Sequence, residues 1–200
     1  MTGTVFVKSY EAPEWDRREI LRYASAGEGN AEVMALLEEC IAESAPKLCY
    51  KVCYARFPVK HEGVELDLGF ACTGSKNLQK NLSSCREIVL FAATVGLGID
   101  RLIARNSHIS PAKALMFDAI GSERVEALCD VFNSEMMVEA VWRGGFTRPR
   151  FSPGYGDLPL ELQRDIFRVL SPEKNIGAVL NDSLLISPTK SVTAIIGISL

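Results

Sequence analysis

The stretch Glu87-Ile-Val-Leu-Phe-Ala-Ala-Thr94 leaves this chain little freedom. It is apolar at consecutive positions and has no polar face to turn toward water. It therefore reads as a strand covered on both sides. Such a strand needs neighbours in a sheet and helices above and below it, and the rest of the sequence supplies both. Residues 4–10 form a short β-type segment. Asp16 caps a helix over 17–26, with Ile20, Leu21 and Tyr23 toward the core and Gly27 as its stop. Asn30 caps a second helix over 31–44, ended by Pro46. Residues 48–58 are rich in Tyr, Val and Phe and read as a strand. His61-Glu62-Gly63 is a turn, and Val64, Leu66, Leu68 and Phe70 alternate along the return, predicting an antiparallel hairpin. Ser75 caps a short helix through Leu82.

The longest helix is predicted from Ser110-Pro111 to about Ala140. Leu115, Phe117, Ile120, Val125, Leu128, Val131, Phe132 and Met136 give it a wide apolar face. Gly121 in its middle costs about 1 kcal/mol against alanine, so close packing or a kink is expected there. A helix over 159–170, short strands over 176–180 and 184–186, and a terminal strand over 192–199 complete the chain. Helices and strands alternate irregularly. The fold class expected is α+β, a single domain over residues 1–200 with a mainly antiparallel twisted sheet flanked by helices.

Charge and composition narrow the function. A net charge of −3 gives no electrostatic footprint for nucleic acid or an anionic membrane. No apolar run is long enough for a bilayer span, and the N-terminus lacks the basic-then-apolar order of a signal peptide, so a cytoplasmic protein is expected. The six cysteines contain no C-x-x-C, although Cys49 and Cys53 would share one face of a strand. Neither His61 nor His108 stands at ligand spacing, so no metal site is assigned and reduced, mostly buried thiols are expected. Gly96 and Gly98 follow a strand in the manner of a dinucleotide site. The third glycine position is Arg101, however, and no acidic strand end lies about 20 residues on, so both are read as turn glycines.

The segment most suited to a ligand is Arg148-Pro-Arg-Phe-Ser-Pro-Gly-Tyr-Gly-Asp157. Its prolines and glycines exclude helix interior and central strand. Arg148 and Arg150, the aromatics Phe151 and Tyr155, and a glycine-opened backbone suit a flat molecule with an anionic end. The same residues also suit a surface loop tucked down by its aromatics. Glu126 lies beside the apolar face of the long helix, where a carboxylate either stays solvated or reaches over a pocket edge to accept from hydroxyls or an ammonium.

Arg150-Phe-Ser-Pro-Gly154-Tyr155 has the form R-x-x-x-G-Y, which resembles the S-adenosylmethionine signature of the reactivation domain of cobalamin-dependent methionine synthase. Glu126 on the long helix and Leu185-Ile-Ser-Pro188-Thr-Lys-Ser191-Val-Thr near the end extend the similarity over residues 85–200. The resemblance implies a free-standing reactivation subunit whose ligand contacts are Glu126, Arg150, Ser152, Gly154 and Tyr155, with no catalytic acid, base or nucleophile. Arg148, Asp157, Lys190 and Ser191 are secondary candidates that serve equally well as loop-holding residues. An N-terminal acidic contact of the family has no assigned position; Glu14 and Asp16 are the nearest acids and are not matched to it. No D-x-H-x-x-G is present, since His61 precedes Glu62-Gly63 and His108 precedes Ile109-Ser110-Pro111; cobalamin is therefore expected only on a partner.

In that reading Arg150 forks onto the ligand carboxylate and Glu126 takes its ribose or ammonium. Backbone groups of Ser152, Gly154 and Tyr155 read the adenine edge. The implied reaction is reductive methylation of cob(II)alamin on the cobalamin domain of methionine synthase or another corrinoid protein, with a flavodoxin-like reductant. The chain then acts as an accessory subunit of a methyltransferase, supplying orientation. Two other readings use the same pocket: an S-adenosylmethionine sensor or assembly module, and a repair subunit of another corrinoid methyltransferase.

Overall fold

A computed structural model describes residues 4–27 and 30–199. The elements, in chain order, are β1 (Phe6–Tyr10), α1 (Arg17–Tyr23), α2 (Ala31–Ser44), β2 (Tyr50–Pro58), β3 (Lys60–Glu62), β4 (Glu65–Asp67), β5 (Cys72–Thr73), α3 (Lys76–Asn81), β6 (Glu87–Thr94), α4 (Leu97–Asn106), α5 (Pro111–Trp142), β7 (Phe146–Thr147), α6 (Leu162–Leu170), α7 (Pro172–Ile176), β8 (Val179–Leu180), β9 (Ile186–Ser187) and β10 (Ser191–Ser199). The main sheet has five strands in the order β1-β2-β6-β10-β7, every pair antiparallel. The fold is the expected α+β.

Strand β6 is central, and its apolar run divides between two cores. Val89, Phe91 and Ala93 face one side, with α1, α2, α4 and α5 over them. Ile88, Leu90 and Ala92 face the other, under α3, α6 and α7. Alternate Cβ atoms of a strand point to opposite faces, so covering both requires apolar residues throughout. On the first face Phe132 of α5 is buried between two rings of the sheet, Tyr54 at 5.2 Å and Phe91 at 4.9 Å.

Local signals explain the helix starts. The Asp16 carboxylate accepts from the Glu19 amide at 3.0 Å, Asn30 from Glu32 at 2.8 Å, and Ser75 Oγ from Leu78 at 3.1 Å. Pro111 opens α5 as predicted, but the Ser110 side chain makes no capping bond. Gly121 answers to close packing: a Cβ there would sit 2.7 Å from Lys190 Cγ. Gly98 is likewise a contact glycine, since its Cβ would stand 2.1 Å from the Lys47 carbonyl oxygen.

Several expectations are corrected. The strand over 64–72 does not pair with β2; β4 instead lies between β3 and β5 in a separate three-stranded sheet. Both edges of β2 are already paired, one with β1 and the other with β6, which leaves none for β4. Leu115 and Val131 are exposed at 54% and 39%, off the packed face of α5. Tyr23 ends α1 half-exposed rather than in the core. The strand expected over 176–180 is shortened to β8, because Ile176 closes α7.

One surface cluster ties the sheet to the end of α5. Arg56 donates to Glu87 at 2.8 Å and to Glu139 at 2.6 Å, and Arg143 donates to Glu87 at 2.7 Å. Burial alone would raise the Glu87 carboxyl, but the Arg143 and Arg56 guanidiniums outweigh it and hold it below the usual carboxylate range. A depressed folded value means stability that is present at neutral pH and lost as pH falls through that value. Glu87→Gln is therefore expected to lower Tm at pH 7 and to flatten the fall of Tm from pH 5 to pH 3. Parallel melting curves over that acid range would show that Glu87 carries no such linkage.

Candidate functional site

The segment after β7 continues along the edge of β10. Arg148 N–H donates to the Gly197 carbonyl at 2.8 Å, and Phe151 and Ile195 exchange two backbone bonds of 2.9 Å. Between these contacts Pro149 and Arg150 together face the single residue Ile196. This is a β-bulge. In an unbroken strand Arg148 and Arg150 would share a side. Here the extra residue splits them. Arg148 turns toward α3, where its Nε donates to the Asn81 carbonyl at 2.9 Å. Arg150 turns toward α5, donating to Asp130 at 2.8 Å and to Glu126 in a close ion pair.

Arg150 keeps 24% of its side chain exposed, against 40% for Glu126 and 71% for Asp130. Burial works against its charge, but the Cys129 thiol and the two carboxylates beside it more than compensate and raise its pKa. Burial pushes the Cys129 thiol up to about 12. The same cause puts Cys40 at about 11 and Cys53 at about 12, so none of the three is a thiolate at neutral pH.

Glu123, Glu126 and Asp130 line a groove of about 450 Å³ between α5 and the segment that leads into α1. The far wall carries Glu14, Asp16, Glu19 and Tyr23. Its volume lies within the roughly 300–1,000 Å³ usual for small-molecule sites. Its lining is acidic, which favours a cation. None of the wall residues carries a ligand assignment from the sequence: Asp16 reads there as a helix cap and Tyr23 as a core residue, and neither Glu14 nor Asp16 is matched to the N-terminal acidic contact. Among the described residues, no three His, Cys, Asp or Glu side chains are gathered closely enough to hold a metal ion. No helix among them is long and apolar enough to cross a membrane.

The turn after Arg150 is built by Gly154 at φ +84°, a conformation open to glycine and costly for other residues. Gly154 N–H donates to Leu158 at 2.9 Å and Tyr155 N–H to Ser152 at 3.1 Å. Both amides are therefore committed within the loop. The Tyr155 ring stands edge-on to Phe151 at 5.3 Å and is 69% exposed. It lines a second cleft of about 560 Å³ with Arg148, Asn77 and Lys80. The structure thus pairs Arg150 with Glu126 and sends Tyr155 into a neighbouring cleft.

The secondary candidates all make structural contacts. Asp157 accepts from Ser75 Oγ and from the Lys76 and Asn77 amides, clamping the loop to α3. Lys190 reaches Asp118 at 2.7 Å and Ser122 at 2.9 Å across α5. Ser191 Oγ donates to the Pro188 carbonyl and is hydrogen-bonded with Thr94 Oγ1, both at 2.8 Å.

No protein-family profile matches the sequence, and no curated protein is recognisably related to it. Structure is more informative. The crystal structure of the MetH reactivation domain bound to AdoHcy superposes with a TM-score of 0.70 over 97% of this chain and 78% of that one. The chain has the reactivation-domain fold. Sequence identity over the match is 17%, so what is shared is the path of the backbone. The antiparallel sheet flanked by helices, expected from the sequence, is the architecture of that domain.

Proposed function

We propose that this protein binds S-adenosylmethionine and presents its methyl group to a corrinoid held by a partner, as a free-standing reactivation subunit. The observation that carries this reading is the ion pair of Arg150 and Glu126 at the rim of an acidic groove, on the reactivation-domain fold. The residues fit the ligand. The bonds to Glu126 and Asp130 engage two of the five N–H groups of the Arg150 guanidinium. Three N–H groups remain for the ligand carboxylate, a third acid at this guanidinium, without giving up the first two, and Glu126 lies where the adjacent ammonium meets it. Ser152 and Gly154 continue from Arg150 and take the nucleoside end through their carbonyl oxygens, because the Gly154 and Tyr155 amides are spent within the loop and the Tyr155 ring lines the neighbouring cleft. The acidic wall with Glu14 and Asp16 lies across the groove from Glu126, where it stabilises the sulfonium charge.

The chemistry asks for orientation. One electron from an external donor of flavodoxin type takes cob(II)alamin to cob(I)alamin. Cobalt then attacks the methyl carbon, the carbon–sulfur bond breaks with its electron pair left on sulfur, and methylcobalamin and S-adenosylhomocysteine result. No side chain need donate or accept a proton, which suits a site of ion pairs and buried neutral thiols.

Calorimetry on the purified protein tests the binding step, with S-adenosylmethionine compared against S-adenosylhomocysteine and NADH. S-Adenosylmethionine carries one positive charge more than its product, so an acidic groove should bind it more tightly, with a preference that shrinks as salt is raised. Absence of binding, or equal affinity for NADH, removes the proposal. Methylcobalamin formation on cob(II)alamin-loaded methionine synthase, given reductant and S-adenosylmethionine, separates the subunit from a sensor that binds without transferring.

A further inference from the structure

Arg124 is the largest fully buried side chain among the described residues, and it is charged. It sits on α5 directly before Val125 and is not among the residues that line the groove, although Glu123 is. Its neighbour Glu123 is buried with it, and the two form an ion pair with 0% and 4% of their side chains exposed. A buried ion pair gives little net stability, because desolvation offsets its attraction. This pair has another employment.

The Arg124 guanidinium donates to the Pro13 carbonyl at 2.7 Å and to the Glu14 carbonyl at 2.6 Å. Its plane lies over the Trp15 ring at 4.1 Å. Glu123 accepts from the Asp16 amide at 3.3 Å. Each of the four residues Pro13–Asp16 is thus gripped by one side chain or the other. Those four lie between β1 and α1, outside both elements, and Glu14 and Asp16 are the acidic wall of the groove.

We propose that the Glu123–Arg124 pair is a positioning device: it fixes the irregular Pro13–Asp16 segment so that its carboxylates face Glu126 across the groove, and so sets the preference for a cationic ligand. The proposal rests on the S-adenosylmethionine reading of the groove. Arg124 touches no ligand in it. The required property is a rigid planar fork that reaches two successive carbonyls while stacking on an indole, which a lysine does not provide.

The test uses Trp142→Phe as parent, since Trp142 is 86% exposed and its loss leaves Trp15 as the lone tryptophan. Arg124→Lys keeps the charge and removes the fork. The double variant Glu123→Gln/Arg124→Met removes both charges together, which protects the fold from an unpaired buried ion; because Glu123 also lines the groove, this variant decides by Trp15 quenching and Arg124→Lys decides by the affinity ratio. Acrylamide quenching of Trp15 reads the wall without ligand, and calorimetry reads S-adenosylmethionine and S-adenosylhomocysteine in turn. Both variants are expected to keep native circular dichroism, to expose Trp15 to quencher, and to lose roughly tenfold or more in S-adenosylmethionine affinity with a smaller loss for S-adenosylhomocysteine. A role confined to stability would move Tm and leave the ratio of the two affinities unchanged. Overturning results are a Trp15 as shielded as in the parent, a ratio that does not move, or full rescue by Arg124→Lys. Should the parent itself bind neither compound, the proposed function fails on its own, and Trp15 quenching alone decides whether the pair holds the wall.

Discussion

Arg150→Ala is expected to weaken S-adenosylmethionine binding by about 2–4 kcal/mol, roughly 30- to 1,000-fold, while the protein stays folded. Two losses add. The ligand carboxylate forfeits a forked, charge-assisted partner in a partly enclosed place. Glu126 and Asp130 are also left without their shared counter-ion, facing that carboxylate with like charge. Stability should change little, because both acids are substantially exposed and return to water. Calorimetry alongside a thermal melt makes the comparison. Wild-type affinity in a well-folded Arg150→Ala protein would remove Arg150 from the site. Glu126→Gln should have a smaller effect, since a neutral amide oxygen still accepts from ammonium or hydroxyl.

Phe132→Ala should have the largest effect on the fold, about 3–5 kcal/mol of destabilisation. At about 2–4 °C per kcal/mol for a chain of this size, Tm falls by roughly 6–20 °C. Phe132 is fully buried and links α5 to the sheet through Tyr54 of β2 and Phe91 of β6. A cavity there loosens the helix that also carries Glu126 and Glu123–Arg124. Ligand affinity should therefore fall with stability in Phe132→Ala, whereas in Arg150→Ala it falls alone. Phe132→Leu keeps most of the volume and should cost far less. A Phe132→Ala protein that melts like wild type would show that α5 is held elsewhere.

The sequence made the elements legible where a single local cause decides them. Asn30, Ser75 and Pro111 mark helix starts because the capping or proline chemistry is complete within a few residues. The apolar run of β6 announced a strand with two covered faces because no other environment suits it. Partner choice was harder. Alternation at Leu66 and Leu68 shows that a strand has one wet face, but not which strand it pairs with; Val64, expected on the dry face, is 83% exposed in the turn between β3 and β4. The long β2 was already taken on both edges.

The site divides in the same way. The R-x-x-x-G-Y pattern and Glu126 drew attention to Arg150 and its eventual partner, since both residue types speak for themselves. The opposite wall did not, because Glu14 and Tyr23 acquire their place only through a tertiary contact. Glu123 and Arg124 carry no mark in the sequence; besides each other, their hydrogen-bond partners are backbone groups more than a hundred residues earlier, which carry no residue-specific signal. Two amides expected to read an adenine were found spent on the turn that presents them, a use that follows from loop closure and leaves no mark on composition.

The bulge at Pro149–Arg150 has a consequence for the two arginines of this motif. They differ by two positions in the chain, yet they serve opposite sides of the sheet. Neither is a spare for the other: a cation lost at the groove is not made good by its neighbour, whose reach is spent on the far side of the molecule.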